Sequence, residues 1–235
     1  MPNKTNIEWV VNPDRSKGLS WNPVKGLCPG VYPECATYCY ARKDYKRWKW
    51  NPKIRLDEKE LNCRFPKKPS RIFVGSTFDL SFADKDWLLQ IRKKVLDNPR
   101  HTFIFLTKNP VLYEVFQWPI NCWLGMTVFG VSGLNNPLET KRFQDFKKMD
   151  NYSMTSPYLK FVSFEPLLKD ALGDEDLKGI SWVIIGAQTK PNIQPDIRWI
   201  ERIVNQANKD NCKIFMKSNL DRMVKVGQIP ESGKA

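Results

Sequence analysis

The chain is nearly without histidine: among 235 residues there is one, His101. A single imidazole, set before a strand-like stretch, excludes a histidine-dependent triad or general base, both of which need that group beside the reacting atoms. Long apolar runs are also missing. No stretch approaches the ~20 residues that a membrane helix needs. The N-terminus, "MPNKTNIEWVVNPDRS", lacks the apolar core of a signal peptide. These absences predict a soluble, cytoplasmic protein with no membrane partner. Acidic residues are in deficit, 25 against 38 Lys and Arg, for a net charge of +13. Such an excess suits contact with a nucleic acid or nucleotide; the plainer alternative is solubility or adaptation to the host cytosol. Internal repeats, low-complexity tracts and clear linkers are absent, so one domain over residues 1–235 is expected.

What the chain does hold is cysteine. Three of its six cysteines fall within twelve residues of "WNPVKGLCPGVYPECATYCYARKDYKRWKW", residues 21–50. In a reducing compartment clustered cysteines point to metal or redox work rather than to disulfides. Cys28, Cys35 and Cys39 read as Cys-x6-Cys-x3-Cys and can wrap one metal centre. Structural zinc wants four protein ligands. His101 lies at the wrong strand end for a fourth, Cys63 sits in a charged segment and is a candidate, and Cys122 and Cys212 start strands and read as buried apolar residues. Three thiolates with one vacancy suit a [4Fe–4S] cluster better, the open iron taking a small chelating molecule such as S-adenosylmethionine. Three unrelated cysteines, a zinc protein and a non-catalytic, metal-stabilised nucleic-acid-binding protein are the alternatives.

Short apolar stretches recur at 71–78, 101–108, 121–128, 159–166, 181–188 and 212–218, with a weaker one at 18–24. Their length and their β-branched and aromatic content predict strands buried on both faces. Helical patterns lie between them at 84–99, 137–149 and 196–211, with Asp196 as an N-cap. The alternation predicts an α/β fold with a parallel sheet, a complete or partial (β/α) barrel. Sites in such folds gather at the carboxyl ends of the strands. The polar residues there are Ser76, Thr77, Asp79, Thr107, Lys108, Thr127, Ser163, Glu165, Gly186, Gln188, Thr189, Lys217 and Ser218.

"NIEWV", "WNPVKGLC" and "PEC...CYA" resemble the signature of a phage-associated three-cysteine family of radical-SAM-like barrel proteins, largely of unknown function and distantly similar to spore photoproduct lyase. The resemblance continues in order through "RIFVGSTFDLSF", "FIFLTKNP", "NCWLGMTV", "KFVSFEPLL" and "GISWVIIGAQTKPN". Tyr38 stands where radical SAM enzymes carry an aromatic residue before the last cysteine. The chain departs from the family in two places. The gap between Cys35 and Cys39 is three residues instead of two, and a Gly-Gly-Glu-Ser motif reads Gly186-Ala187-Gln188-Thr189. The resemblance implies a [4Fe–4S] cluster on Cys28, Cys35 and Cys39, S-adenosylmethionine as cofactor, an electron donor such as a flavodoxin or ferredoxin, and a partner protein. By chemical type, Ser76, Thr77 and Asp79 suit the cofactor's ammonium or ribose. Ser163 and Glu165 suit its ribose or the substrate, and Lys108 and Lys217 suit a carboxylate or phosphate. Gly186 and Gln188 complete the expected cofactor side, and Glu165, inside "SFEPLL", is the expected catalytic residue. Each has a structural alternative, a hydrogen bond or salt bridge at the barrel rim.

After the cysteines, "YARKDYKRWKWNPKIR" alternates aromatic and basic residues. As a helix it puts Tyr38, Ala41, Tyr45 and Trp48 on one stripe, expected to pack on the sheet, with Arg42, Lys46 and Lys49 on another. Trp50 and the cations are the candidates for stacking on a base and binding phosphate.

Overall fold

The fold was read from a computed structural model, which describes residues 2–30, 33–128, 133–149, 158–221 and 226–231. The N-terminal third holds β1 (Asn3–Lys4), β2 (Leu19–Trp21), β3 (Val24–Lys25), α1 (Pro33–Tyr38), α2 (Tyr40–Trp48), β4 (Arg55–Leu56) and α3 (Glu58–Leu61). Strands and helices then alternate: β5 (Arg71–Val74), α4 (Lys85–Leu96), β6 (Thr102–Thr107), β7 (Cys122–Thr127), α5 (Pro137–Lys148), β8 (Leu159–Phe164) and β9 (Trp182–Ile185). A short hairpin, β10 (Gln188–Thr189) with β11 (Asn192–Ile193), precedes α6 (Ile197–Lys209) and β12 (Lys213–Met216).

Eight strands form one sheet in the order β1-β2-β5-β6-β7-β8-β9-β12. Only β1 and β2 pair antiparallel; every other neighbouring pair is parallel. The spatial order never reverses relative to the chain. Among the described residues no ladder joins β1 to β12, so the sheet is open at that seam.

Side chains alternate across a strand, and here the two parities enter two different cores. Ile72, Val74, Phe103, Phe105, Leu124, Met126, Val162, Val183 and Ile214 face the helices. They meet Leu88, Ile91 and Val95 of α4, Phe143 and Phe146 of α5, and Ile200, Ile203 and Ala207 of α6. The opposite parity supplies Phe73, Ile104, Trp123, Phe161, Trp182, Ile184 and Phe215, which close on one another and on Trp9. Trp9 stands edge-on to Phe73 and Trp182, with ring centroids 5.1 and 5.9 Å apart. Thus three long helices cover one face of the sheet, and an aromatic plug fills the other. None of the described helices is long and apolar enough to cross a membrane.

Candidate metal centre

The three cysteines converge. Cys28 follows β3 in a loop held from two sides: the Asp79 amide donates to its Sγ at 3.3 Å, and the Arg42 guanidinium donates to its carbonyl at 2.6 Å. Cys35 lies in α1. Cys39 lies between α1 and α2, where φ −59° and ψ 114° break the helix. Its amide still donates to the Cys35 carbonyl at 3.0 Å, so the chain keeps one helical turn across the break. Residues four apart share a side of such a turn, and both cysteines line one shallow cleft, partly open to solvent. Cys28, Cys35, Cys39, Thr77, Arg42 and Phe82 are among its lining residues. The three-residue spacing is therefore absorbed by restarting the helix at Tyr40.

Charge in the cleft is shared unevenly. The Cys35 thiol donates to the Cys39 sulfur, which pushes Cys39 down to about 5 and Cys35 up. Burial works against the Cys39 thiolate, but the first amides of α2, from Arg42 and Ala41, favour it. Such amides at a helix start suit negative charge. Burial raises Cys28. Burial also opposes the charge of Lys108, yet Cys35, Asp79, Cys28 and Cys39 outweigh it and hold the lysine above its usual value. Lys108 thus carries positive charge close enough to be felt by all three thiols, while Arg42 is the cation on the cleft wall.

Counting by twos along the aromatic-plug parity leads from Ile104 to Lys108, from Trp123 to Thr127 and from Phe161 to Ser163 and Glu165. It also leads from Ile184 to Gly186 and from Phe215 to Lys217. Glu165 and Lys217 form an ion pair across the strand ends. Gly186 lies against it: a Cβ there would come within 2.8 Å of Lys217 Cδ and 3.2 Å of Glu165 Cγ. Ser163 is buried, and its hydroxyl has no hydrogen-bond partner among the described residues. Tyr40, partly exposed, opens α2 directly after Cys39. Its hydroxyl donates to the Ser76 carbonyl. Its pKa is raised by crowding first and then by the negative charges of Cys39 and Glu165.

The remaining expected residues have other engagements. Ser76 Oγ donates to Asn22 Oδ1 at 3.0 Å. The Asp79 carboxylate accepts from the Thr107 hydroxyl at 2.6 Å, the Lys108 amide at 2.9 Å and the Ser81 amide at 3.1 Å. With its own amide on Cys28, Asp79 braces the loop behind the cleft. Gln188 sits in the β10–β11 hairpin, its amide donating to the Pro191 carbonyl at 3.2 Å, and does not line the thiol cleft. Arg42, Tyr40 and Phe82 belong to the site without having been singled out for it. The signal for Arg42 was its position three residues after Cys39, which puts it on the same helical face.

The other sulfurs and the histidine lie apart. His101 is buried, accepts the Ser70 amide through Nδ1 at 3.1 Å, and packs edge-on to Phe65 and Phe103. The charges around Cys63 are Glu60 and Lys94, not the other thiols. Cys122 and Cys212 are buried in the helix-side core. Among the described residues, no group of three or more His, Cys, Asp and Glu is set to hold a metal ion.

A family described as a protein of unknown function (DUF5131) matches residues 4–228. No curated protein and no solved structure matches the chain.

Proposed function

We propose that the chain, which belongs to the DUF5131 family, is an iron–sulfur protein of radical SAM type that acts on a nucleic acid or nucleotide. Cys28, Cys35 and Cys39 would hold a [4Fe–4S] cluster, and S-adenosylmethionine would bind at the iron they leave free. One observation carries the reading: three thiols line one cleft. The donor set fits the group. It is all sulfur, as iron–sulfur clusters prefer, and Lys108 and the amides of Asp79, Ala41 and Arg42 favour negative sulfur. Cys63, the fourth ligand that a zinc site would need, has Glu60 and Lys94 for neighbours instead. When bound, the cluster would supply one electron to the sulfonium of the cofactor.

The chain's own residues would bind and orient. Lys108 keeps its proton and offsets the charge of the thiolates. Asp79 fixes the loop behind Cys28. Thr77 and Ser76 offer polar atoms at the cleft's edge, and Ser163 offers a buried hydroxyl that no described protein group uses. Glu165 and Lys217 hold opposite charges over Gly186, the arrangement that a zwitterionic amino-acid portion would match once the pair separates. Gln188 would reach in from its hairpin. Strand order without reversal and helices on one face support a partial (β/α) barrel, and with it the likeness to the phage-associated three-cysteine proteins and a single domain. An external flavodoxin or ferredoxin would deliver the electron.

Anaerobic reconstitution tests this. The expected product is a brown protein with about four irons and four sulfides per chain, lost in the C28A, C35A and C39A variants. Reduction with S-adenosylmethionine should release 5'-deoxyadenosine. Zinc without iron after anaerobic purification would overturn the cluster; a cluster that never cleaves the cofactor would overturn the enzymatic half.

A further inference from the structure

We infer that the second half of α2 and the turn after it form a docking surface for single-stranded nucleic acid, leading into the thiol cleft. The inference rests on the nucleic-acid substrate proposed above and gives it a place and a strandedness. Of the chain's nine tryptophans, Trp48 and Trp50 alone are exposed, at 56% and 49%. The sequence pattern put Trp48 on a packing stripe. The stripe does bury Ala41 and Tyr45, but the helix ends at Trp48, which stays exposed. Both indoles are nonetheless held. The Arg47 guanidinium lies over the Trp48 ring, 4.8 Å from its centroid. Trp50 stands edge-on to buried Tyr45, at 5.3 Å and 88°. Lys49 turns the chain at φ 52°, and the Trp50 amide returns to the Tyr45 carbonyl at 3.1 Å. Tyr45 is itself fixed, its hydroxyl accepting the Gly26 amide at 2.8 Å.

The charge around the indoles has one sign. Residues 40–56 carry seven Lys and Arg and one acid, Asp44. Among the described residues, Lys43, Lys46, Arg47, Lys49, Lys53 and Arg55 form no ion pair, whereas Lys93 and Lys141 on other helices pair with Asp97 and Asp145. Held, exposed rings between uncompensated cations match a polymer that alternates flat bases with phosphates. A duplex hides its base faces, so the rings select a single strand. An acidic protein would use the cations and leave the rings idle. The first turn of the same helix carries Ala41 and Arg42 on the cleft wall, and nine residues of helix rise only ~14 Å. A strand lying along α2 therefore reaches the thiols.

The test is binding of fluorescein-labelled oligothymidylate, longer than the ~4–16 nucleotides usual for such sites. It is read by anisotropy and by quenching of tryptophan fluorescence. It is run on the protein as purified, after reconstitution, and on the C28A/C35A/C39A variant. Single strand should bind more tightly than duplex. W48A and W50A should each weaken binding about 5-fold or more, with unchanged circular dichroism. K46A/R47A/K49A should flatten the salt dependence by about 0.7 in log–log slope for each phosphate no longer neutralised. Tryptophan variants that bind as the wild type does, or duplex that binds as tightly as single strand, would overturn the inference. So would equal competition by polyglutamate, which has charge without bases and would reassign the surface to an acidic protein. Binding by wild-type protein that takes up no cluster on reconstitution leaves this surface standing while the iron reading fails, binding by the triple variant shows the surface to be independent of the metal, and a cluster without binding overturns the surface alone.

Discussion

His101 shows how burial fixes the behaviour of one side chain. It is 2% exposed, and its Nδ1 accepts the Ser70 amide, a bond that needs the nitrogen unprotonated. Burial first, then neighbouring Arg100, lowers its pKa. The unfolded chain takes up this proton near the ordinary histidine value of ~6.5, and the folded chain does so only at lower pH. The unfolded state therefore binds more protons below about pH 6.5, and stability falls as pH drops through that region. H101Q keeps an acceptor and does not titrate. Its urea midpoint should fall less than the wild type's between pH 7.5 and 5.5; equal falls would clear His101. At Gly186 the restraint is space. G186A would push a methyl group against the Lys217 and Glu165 side chains, which can swing aside, and should cost no more than about 1 kcal/mol in denaturant unfolding. The cysteines and the polar strand ends were legible at this scale because their chemistry is carried by residue type. Tyr40 was not, because its place depends on a helix that restarts after Cys39, and Arg42 was marked only by its spacing from Cys39.

Elements were legible where a side chain caps or a period repeats. The three long helices lie within the ranges their patterns predict, and Asp84, Asn136 and Asp196 each accept an amide of the first turn. Asn136 Oδ1 takes the Leu138 amide at 2.9 Å and the Glu139 amide at 3.4 Å. N136A should lower stability by about 1 kcal/mol, seen as an earlier urea midpoint with an unchanged slope. Apolar runs overstated strand length: the run at 71–78 pairs only over Arg71–Val74, and the run at 181–188 only over Trp182–Ile185. Past the ladder ends lie Thr77 on the cleft wall and Gly186 against the Glu165–Lys217 pair. The break between α1 and α2 had no sequence mark, since neither glycine nor proline sits there. The β3–β4 pair and the β10–β11 hairpin are two residues a strand, too short for any period. Lys49 shows a local cost at a functional place. A non-glycine residue at φ 52° is strained, so K49G should raise the melting temperature while weakening nucleic-acid binding.

For the whole molecule, alternation of strand and helix predicted the parallel order, and the order holds from β2 to β12. Whether the two edges meet was not legible, because edge pairing depends on curvature and no residue type encodes it. The plugged face is equally a property of the whole. Phe161 lies across Gly125, where a Cβ would come within 2.2 Å of the ring's Cζ. Nothing nearby can yield, with Trp9, Trp123 and Trp182 filling the same space. G125A should destabilise by about 1–3 kcal/mol and W9A by about 3–5 kcal/mol, both by denaturant titration.

Trp9 sets a clock on biosynthesis. It leaves the ribosome well before its partners, since its pocket needs Trp182 and Phe215. Neighbouring Glu8 waits for Ser218, whose amide and hydroxyl its carboxylate accepts at 2.7 and 2.9 Å. At roughly 5–20 residues per second, the 210 residues separating those two take roughly 10–40 s to translate. For that interval the indole has no finished home, and a nascent chain stalled before β12 should be bound by chaperones that a completed chain has already escaped.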